Sequence, residues 1–377
     1  MKKILFLGIS HRAYVGRLYY RQVCKILDAY QNIECIYIGK SCFTGENQIT
    51  TKNYRLKNLK KYRNKKALTK LLVLLKECIS EKPDWIQASD VRELIPALII
   101  KLFTGAKVIY DAHEDYFNQS YEYRSKSYSG LIIGCMHRLI EILFIRFTHS
   151  IFCTDDYLFS LYRKKIFAAK QVSMQRNFVD HSLLDGLARP PSPEKPLRLV
   201  YIGNVNEYRG LIECAFYVSK YNQDYGYTAV TLDVFSPKNY IIGYLNQKRF
   251  IQYHAPVPHP DIFKALKNYH IGVFLFSKIR KFERNLGTKN FEYMSVGLPV
   301  LTSDYGNMAR YVKNVHAGIC INPDFYTAFK AAIDTLRREE YWALYSKNGV
   351  EATGSRYQLM QDLVSYLSIF KASSDQI

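Results

Sequence analysis

Short runs of β-branched and aromatic residues alternate with longer helical stretches along this chain, and the rhythm starts twice. The first set of runs lies at residues 3–8, 34–39, 84–88, 106–111 and 150–154. The stretches between them leave room for the crossover connections that parallel strands require. Each run therefore reads as a strand of a parallel sheet covered by helices on both faces. The rhythm breaks at Arg189-Pro-Pro-Ser-Pro-Glu-Lys-Pro196, where prolines remove backbone donors and deny helical geometry. It restarts at 197–203, 228–235, 271–276 and 298–303. The fold class is α/β with two doubly wound domains, residues 1–189 and, after a proline linker, residues 190–354. A last periodic helix at 355–377 can pack on either half.

With 377 residues, 48% of them hydrophobic and 15% aromatic, the chain can bury two cores, which excludes a disordered polybasic tail. Its formal net charge is nevertheless +20, and residues 1–189 hold 31 basic against 17 acidic side chains. Nine cations and no acid occupy positions 52–70. Lys57, Lys60, Lys61, Lys65 and Lys66 are the candidate patch there for an acceptor or an anionic membrane. Residues 131–147 read as a buried helix or, with the aromatics and cations before them, as an interfacial one. No window offers the ~18 uncharged apolar residues of a spanning helix. The N-terminal apolar run meets Ser10-His11-Arg12 at once, so neither a signal peptide nor an anchor is expected. Eight cysteines stand singly, without C-x-x-C spacing, which fits reduced thiols in the cytoplasm rather than disulfides or a zinc site.

In open α/β sheets ligands bind beyond the carboxyl ends of strands, and four such places carry chemistry. In Arg284-Asn-Leu-Gly287-Thr288-Lys289-Asn-Phe-Glu292 a glycine loop opens a helix that carries a carboxylate one turn in. Helix-start donors beside Lys289 suit a diphosphate, and Glu292 can accept from sugar hydroxyls; an ordinary capped helix is the plain alternative. Leu199-Val-Tyr-Ile-Gly203-Asn204 leads to Arg209-Gly210, which is either a phosphate loop or a strand-turn-helix with a surface arginine. Asp111-Ala-His113-Glu114 ends a strand with two acids and a histidine. Gly8 and Gly16 bracket the first turn, with His11, Arg12 and Arg17 between or beside them. G-x-G-x-x-G and P-loop spacings are missing, as is Asp-x-Asp.

The segment Lys289-Asn-Phe-Glu292-Tyr-Met-Ser-Val-Gly297-Leu-Pro-Val resembles the donor-binding helix of glycosyltransferase family 4, of bacterial surface-polysaccharide type, and its relatives. The resemblance extends over roughly residues 1–350. It implies the GT-B architecture, two Rossmann-like domains facing across a cleft. It also implies a nucleotide sugar held by Gly16, Gly203, Arg209, Gly287, Thr288, Lys289 and Glu292, with Glu292 on the ribose. His113 would face the donor sugar, its tautomer fixed by Asp111 or Glu114. The family's first glutamate is replaced by Arg284, which suits a phosphate clamp, so the candidate catalytic pair is His113 and Arg284. Asn204 stands where the family has an arginine. His11 has a second reading as a general base.

The resemblance implies a hexosyltransferase (EC 2.4 class) that needs neither cofactor nor metal and retains anomeric configuration. It would move a sugar from a nucleotide-diphosphate donor to a glycan acceptor, lipid-linked, in cell-surface polysaccharide or glycolipid synthesis. The basic first domain would sit at the inner face of the cell membrane. Two rivals stand beside this reading: a non-catalytic GT-B partner subunit, and a nucleic-acid-binding protein that stacks bases on some of its 32 tyrosines. The second is disfavoured by the lack of a binding module, so nucleic acid is not expected as a partner.

Overall fold

In the computed structural model the described residues are 1–8, 18–39, 53–58, 66–122, 124, 126–186, 190 and 192–371. The chain divides into two units, Met1–Arg176 together with the chain from Asp362 onward, and Asn177–Gln361.

The first unit carries a seven-stranded sheet built from β1 (Lys2–Gly8), β2 (Ile33–Gly39), β3 (Tyr54–Asn58), β4 (Trp85–Ala88), β5 (Lys107–Ala112), β6 (Ser150–Cys153) and β7 (Val172–Met174), in the order β3-β2-β1-β4-β5-β6-β7. Every pairing in it is parallel. The central strands are buried throughout, Ile4 to Leu7, Trp85 to Ala88 and Ser150 to Cys153 among them, because helices cover both faces.

The second unit repeats the plan with six strands: β8 (Leu197–Ile202), β9 (Val230–Phe235), β10 (Ile251–His254), β11 (Ile271–Phe274), β12 (Val300–Ser303) and β13 (Gly318–Ile321). Their order is β10-β9-β8-β11-β12-β13, again all parallel. In both units the chain therefore winds one way from the middle of the sheet and then the other.

The chain leaves the first unit at Arg176/Asn177 rather than at the proline segment. Phe178 and Val179 are already buried in the second core, where the Phe178 ring meets Phe291 at 5.0 Å and Tyr357 at 5.3 Å. The terminal helix Leu359–Lys371 belongs to the first unit from Asp362 on. Its Tyr366 packs edge-on against Phe152 at 5.1 Å, and Phe370 packs against Trp85 at 5.4 Å. Among the described residues the cysteines are free, and no helix is long and apolar enough to cross a membrane.

The helix expected at 131–147 spans Tyr128–Phe144. It is not buried all round. Gly130 and Gly134 press it on the helix Tyr116–Glu122, where a Cβ at Gly134 would lie 2.8 Å from the Phe117 carbonyl oxygen. Its other face leaves Tyr128, Ile132, Met136, Leu139 and Leu143 exposed.

Candidate active site

In the second sheet β8 and β11 are neighbours whose connections depart in opposite directions, so the loops leaving their carboxyl ends open a crevice between them. Gly203 follows β8 with φ +141°, and a Cβ there would sit 3.3 Å from Cε of Lys289, at the start of the helix Lys289–Ser295. Glycine thus lets the lysine stem cross the strand end. Nζ of Lys289 donates to Oε2 of Glu292 at 3.0 Å, and Nε2 of His259 lies 3.4 Å from Oε1. Glu292 is 1% exposed, so a cationic or protonatable group faces each oxygen of a buried carboxylate.

Arg209 ends a short turn before Gly210, whose φ of +55° a side chain would strain. A Cβ at Gly210 would lie 3.0 Å from Leu275, so the β8 loop rests on the chain leaving β11. The Arg209 guanidinium lies 5.3 Å from the rings of both Phe274 and Phe282. Among the described residues no carboxylate pairs with it, and its buried Nε has no hydrogen-bond partner. Gly287 donates its amide to Sδ of Met308 at 3.1 Å, a weak acceptor, and Thr288 makes no side-chain cap. Arg284 ends the helix Arg280–Arg284 half-buried, with its carbonyl held by Asn307 at 2.6 Å; Glu283 beside it is exposed, as is Asn204.

In the first unit Nε2 of His113 lies 2.6 Å from Oδ2 of the fully buried Asp111. Glu114 instead accepts from Gln119, so of the two acids Asp111 is the one against the ring. Gly16, His11, Arg12 and Arg17 lie outside the described residues, as do Lys60, Lys61 and Lys65. Lys66 is exposed. Lys57 is no free surface cation: it pairs with Glu77 at 3.1 Å and with Glu81, which also binds Arg55 at 2.7 Å. Burial pushes Glu81 up, but the hydrogen bonds from Arg55 and Lys57 outweigh it and hold the acid at about 2. The acids that pair with Arg55 and Lys57 come from elsewhere in the chain.

Sequence reasoning brings together Gly203, Lys289 and Glu292 and misses His259. The only signal for His259 is its place between two prolines at the start of the helix His259–Leu266.

Residues 188–350 match the family described as Glycosyl transferases group 1. No curated protein sequence matches the chain. Among solved structures, sucrose-phosphate synthase from Thermosynechococcus elongatus superposes with a TM-score of 0.75 at 13% identity, covering 99% of this chain and 100% of that one. The Anabaena protein HepE, solved with UDP-glucose, gives 0.72 at 14% identity over 99% and 100%. WaaG, a glycosyltransferase involved in lipopolysaccharide biosynthesis, gives 0.72 at 11% over 97% and 99%. At such identities the likeness carries the fold. Residues 188–350 are thus similar to the group 1 glycosyl transferases, and the chain has the GT-B fold of known glycosyltransferases.

Proposed function

We propose that the enzyme transfers a sugar from a nucleoside diphosphate donor, held by the second unit, to a lipid-linked glycan acceptor at an anionic membrane face. The observation that carries the donor half is the Lys289–Glu292–His259 set beside Gly203, with Arg209 at the same end of the sheet paired to no carboxylate among the described residues. A diphosphate draws Lys289 off Glu292, and the freed carboxylate oxygen accepts from the ribose hydroxyls. Arg209, Lys289 and Arg284, with the amides after Gly287, stabilise the charge that grows on the departing diphosphate, in place of a metal ion. HepE, of the same fold, was solved with UDP-glucose, which supports a nucleotide sugar as donor.

Transfer proceeds on one face of the sugar. The acceptor oxygen bonds to the anomeric carbon as the bond to the diphosphate breaks, and the acceptor proton passes to the departing phosphate oxygen. Configuration is retained. His113, backed by Asp111, orients a donor-sugar hydroxyl.

The acceptor half rests on the first unit. Tyr128, Ile132, Met136, Leu139, Leu143 and Phe147 form an exposed apolar stripe, and Leu102 and Phe103 are exposed beside Lys101, whose Nζ donates to the Phe147 carbonyl at 2.8 Å. Apolar residues flanked by Lys101 and Arg146 suit a headgroup boundary. A role in surface glycan or glycolipid synthesis, and a place at the inner face of the cell membrane, follow from that acceptor.

The test is nucleoside diphosphate release from a panel of UDP-, GDP- and dTDP-sugars. It is run in the presence of chelator, with lipid-linked glycans in phosphatidylglycerol vesicles. Release with one donor class, and loss of vesicle flotation on Ile132→Glu/Met136→Glu, are expected. Undiminished flotation of that variant would refute the membrane assignment, and release that needs added metal would refute the metal-free one.

A further inference from the structure

Several buried polar side chains of the first unit form one connected set that ends at His113. Tyr366, on the terminal helix, donates its hydroxyl to Oε1 of Gln87 at 2.6 Å. That fixes the Gln87 amide, so Nε2 turns to Oε1 of Gln22 at 2.8 Å, with Ser89 Oγ at 3.3 Å and Oδ2 of Asp111 at 3.4 Å. Because the Gln22 oxygen is thereby occupied, its own Nε2 donates to Oδ2 of Asp111 at 2.7 Å and to Oε1 of Gln175 at 2.9 Å. Gln22, Gln87, Asp111 and Tyr366 are all completely buried. Every amide in the path is oriented by the one before it, and the path ends on a carboxylate, which only accepts.

A carboxylate held by amide donors leaves the His113 ring one role toward it. Nε2, 2.6 Å away, must carry a hydrogen and donate, which leaves Nδ1 as the accepting nitrogen of the ring. We propose that Tyr366 is a positioning residue of the glycosyl transfer: through Gln87, Gln22 and Asp111 it sets the orientation of His113. The proposal rests on the reading of His113 as a residue that touches the donor sugar. Without the Tyr366 hydroxyl, the Gln87 amide is free to rotate and turn its oxygen toward Asp111. The carboxylate then loses its ordered donors and can turn, so the Nε2–H bond that aims the His113 ring loses its fixed direction.

The experiment compares Tyr366→Phe with Tyr30→Phe. The Tyr30 hydroxyl also ties the terminal helix, to the Leu367 carbonyl at 2.8 Å, but touches none of the network. Two readouts are taken on the full chain: ¹⁵N chemical shifts of the His113 ring, assigned with His113→Gln, and steady-state kinetics. Tyr366→Phe is expected to shift the Nε2 resonance as the bond to Asp111 loses its fixed geometry and to lower kcat about tenfold with the donor KM unchanged, while Tyr30→Phe leaves both readouts as in the wild type. An unchanged His113 spectrum in Tyr366→Phe overturns the proposal, as do equal effects of the two variants, which would mean helix docking alone. A changed spectrum with unchanged turnover upholds the positioning of His113 and overturns its part in the reaction.

Discussion

The ammonium of Lys289 lies 3.0 Å from Oε2 of Glu292 while its stem crosses Gly203, so binding a diphosphate exchanges one anionic partner for another. Loss of that cation removes charge stabilisation where the leaving group departs. Lys289→Ala should lower kcat/KM by ~10²-fold or more with the thermal midpoint within a few degrees of wild type. Unchanged kinetics would place the donor elsewhere. These residues are legible in the sequence because strand, glycine and helix start are local signals. His259 is not, because only the folded second unit brings it to Glu292. The Tyr366 path is illegible for the same reason, joining residues of β4, β5, the terminal helix and the segment after β1.

At the scale of elements, the strands that the sequence rhythm misses are β3, β7, β10 and β13, which are the four sheet edges. Central strands are covered on both faces and read as unbroken apolar runs. Edges carry mixed residues, such as Tyr54-Arg-Leu-Lys-Asn58, whose Arg55 and Lys57 find Glu34, Glu77 and Glu81 only after folding. The helix Tyr128–Phe144 departs from its pattern differently. Its one buried acid, Glu141, faces Tyr110 at 3.0 Å, Tyr162 at 2.6 Å and Arg138 at 2.9 Å. Burial pushes Glu141 up to about 7 in spite of Arg138 and the two tyrosines. Between its ordinary range and about 7 the folded state binds more protons than the unfolded one, so this group's contribution to stability falls as pH rises through that window. Glu141→Gln should flatten the decline in denaturant-measured stability between about pH 5 and pH 8, by on the order of 1–3 kcal/mol. An identical pH slope in the variant would contradict that account.

Across the whole molecule, both sheets follow one plan, and the proline segment that marks the restart lies within the second unit, because Phe178 and Val179 already fill its core. The +20 charge divides by function: Arg209, Arg284 and Lys289 serve the proposed donor, and the larger excess of the first half surrounds the proposed acceptor. Part of that excess is spent internally, as at Lys57, which leaves the exposed apolar stripe as the stronger mark of a membrane face. The central claim is that the second unit holds a nucleoside diphosphate sugar through Lys289, Arg209 and Glu292. Titration calorimetry with UDP-, GDP- and dTDP-sugars tests it most directly. One donor class should bind with a single site per chain, and Lys289→Ala should weaken that binding at least tenfold. Absence of heat with every donor, or equal affinity in Lys289→Ala, would contradict it.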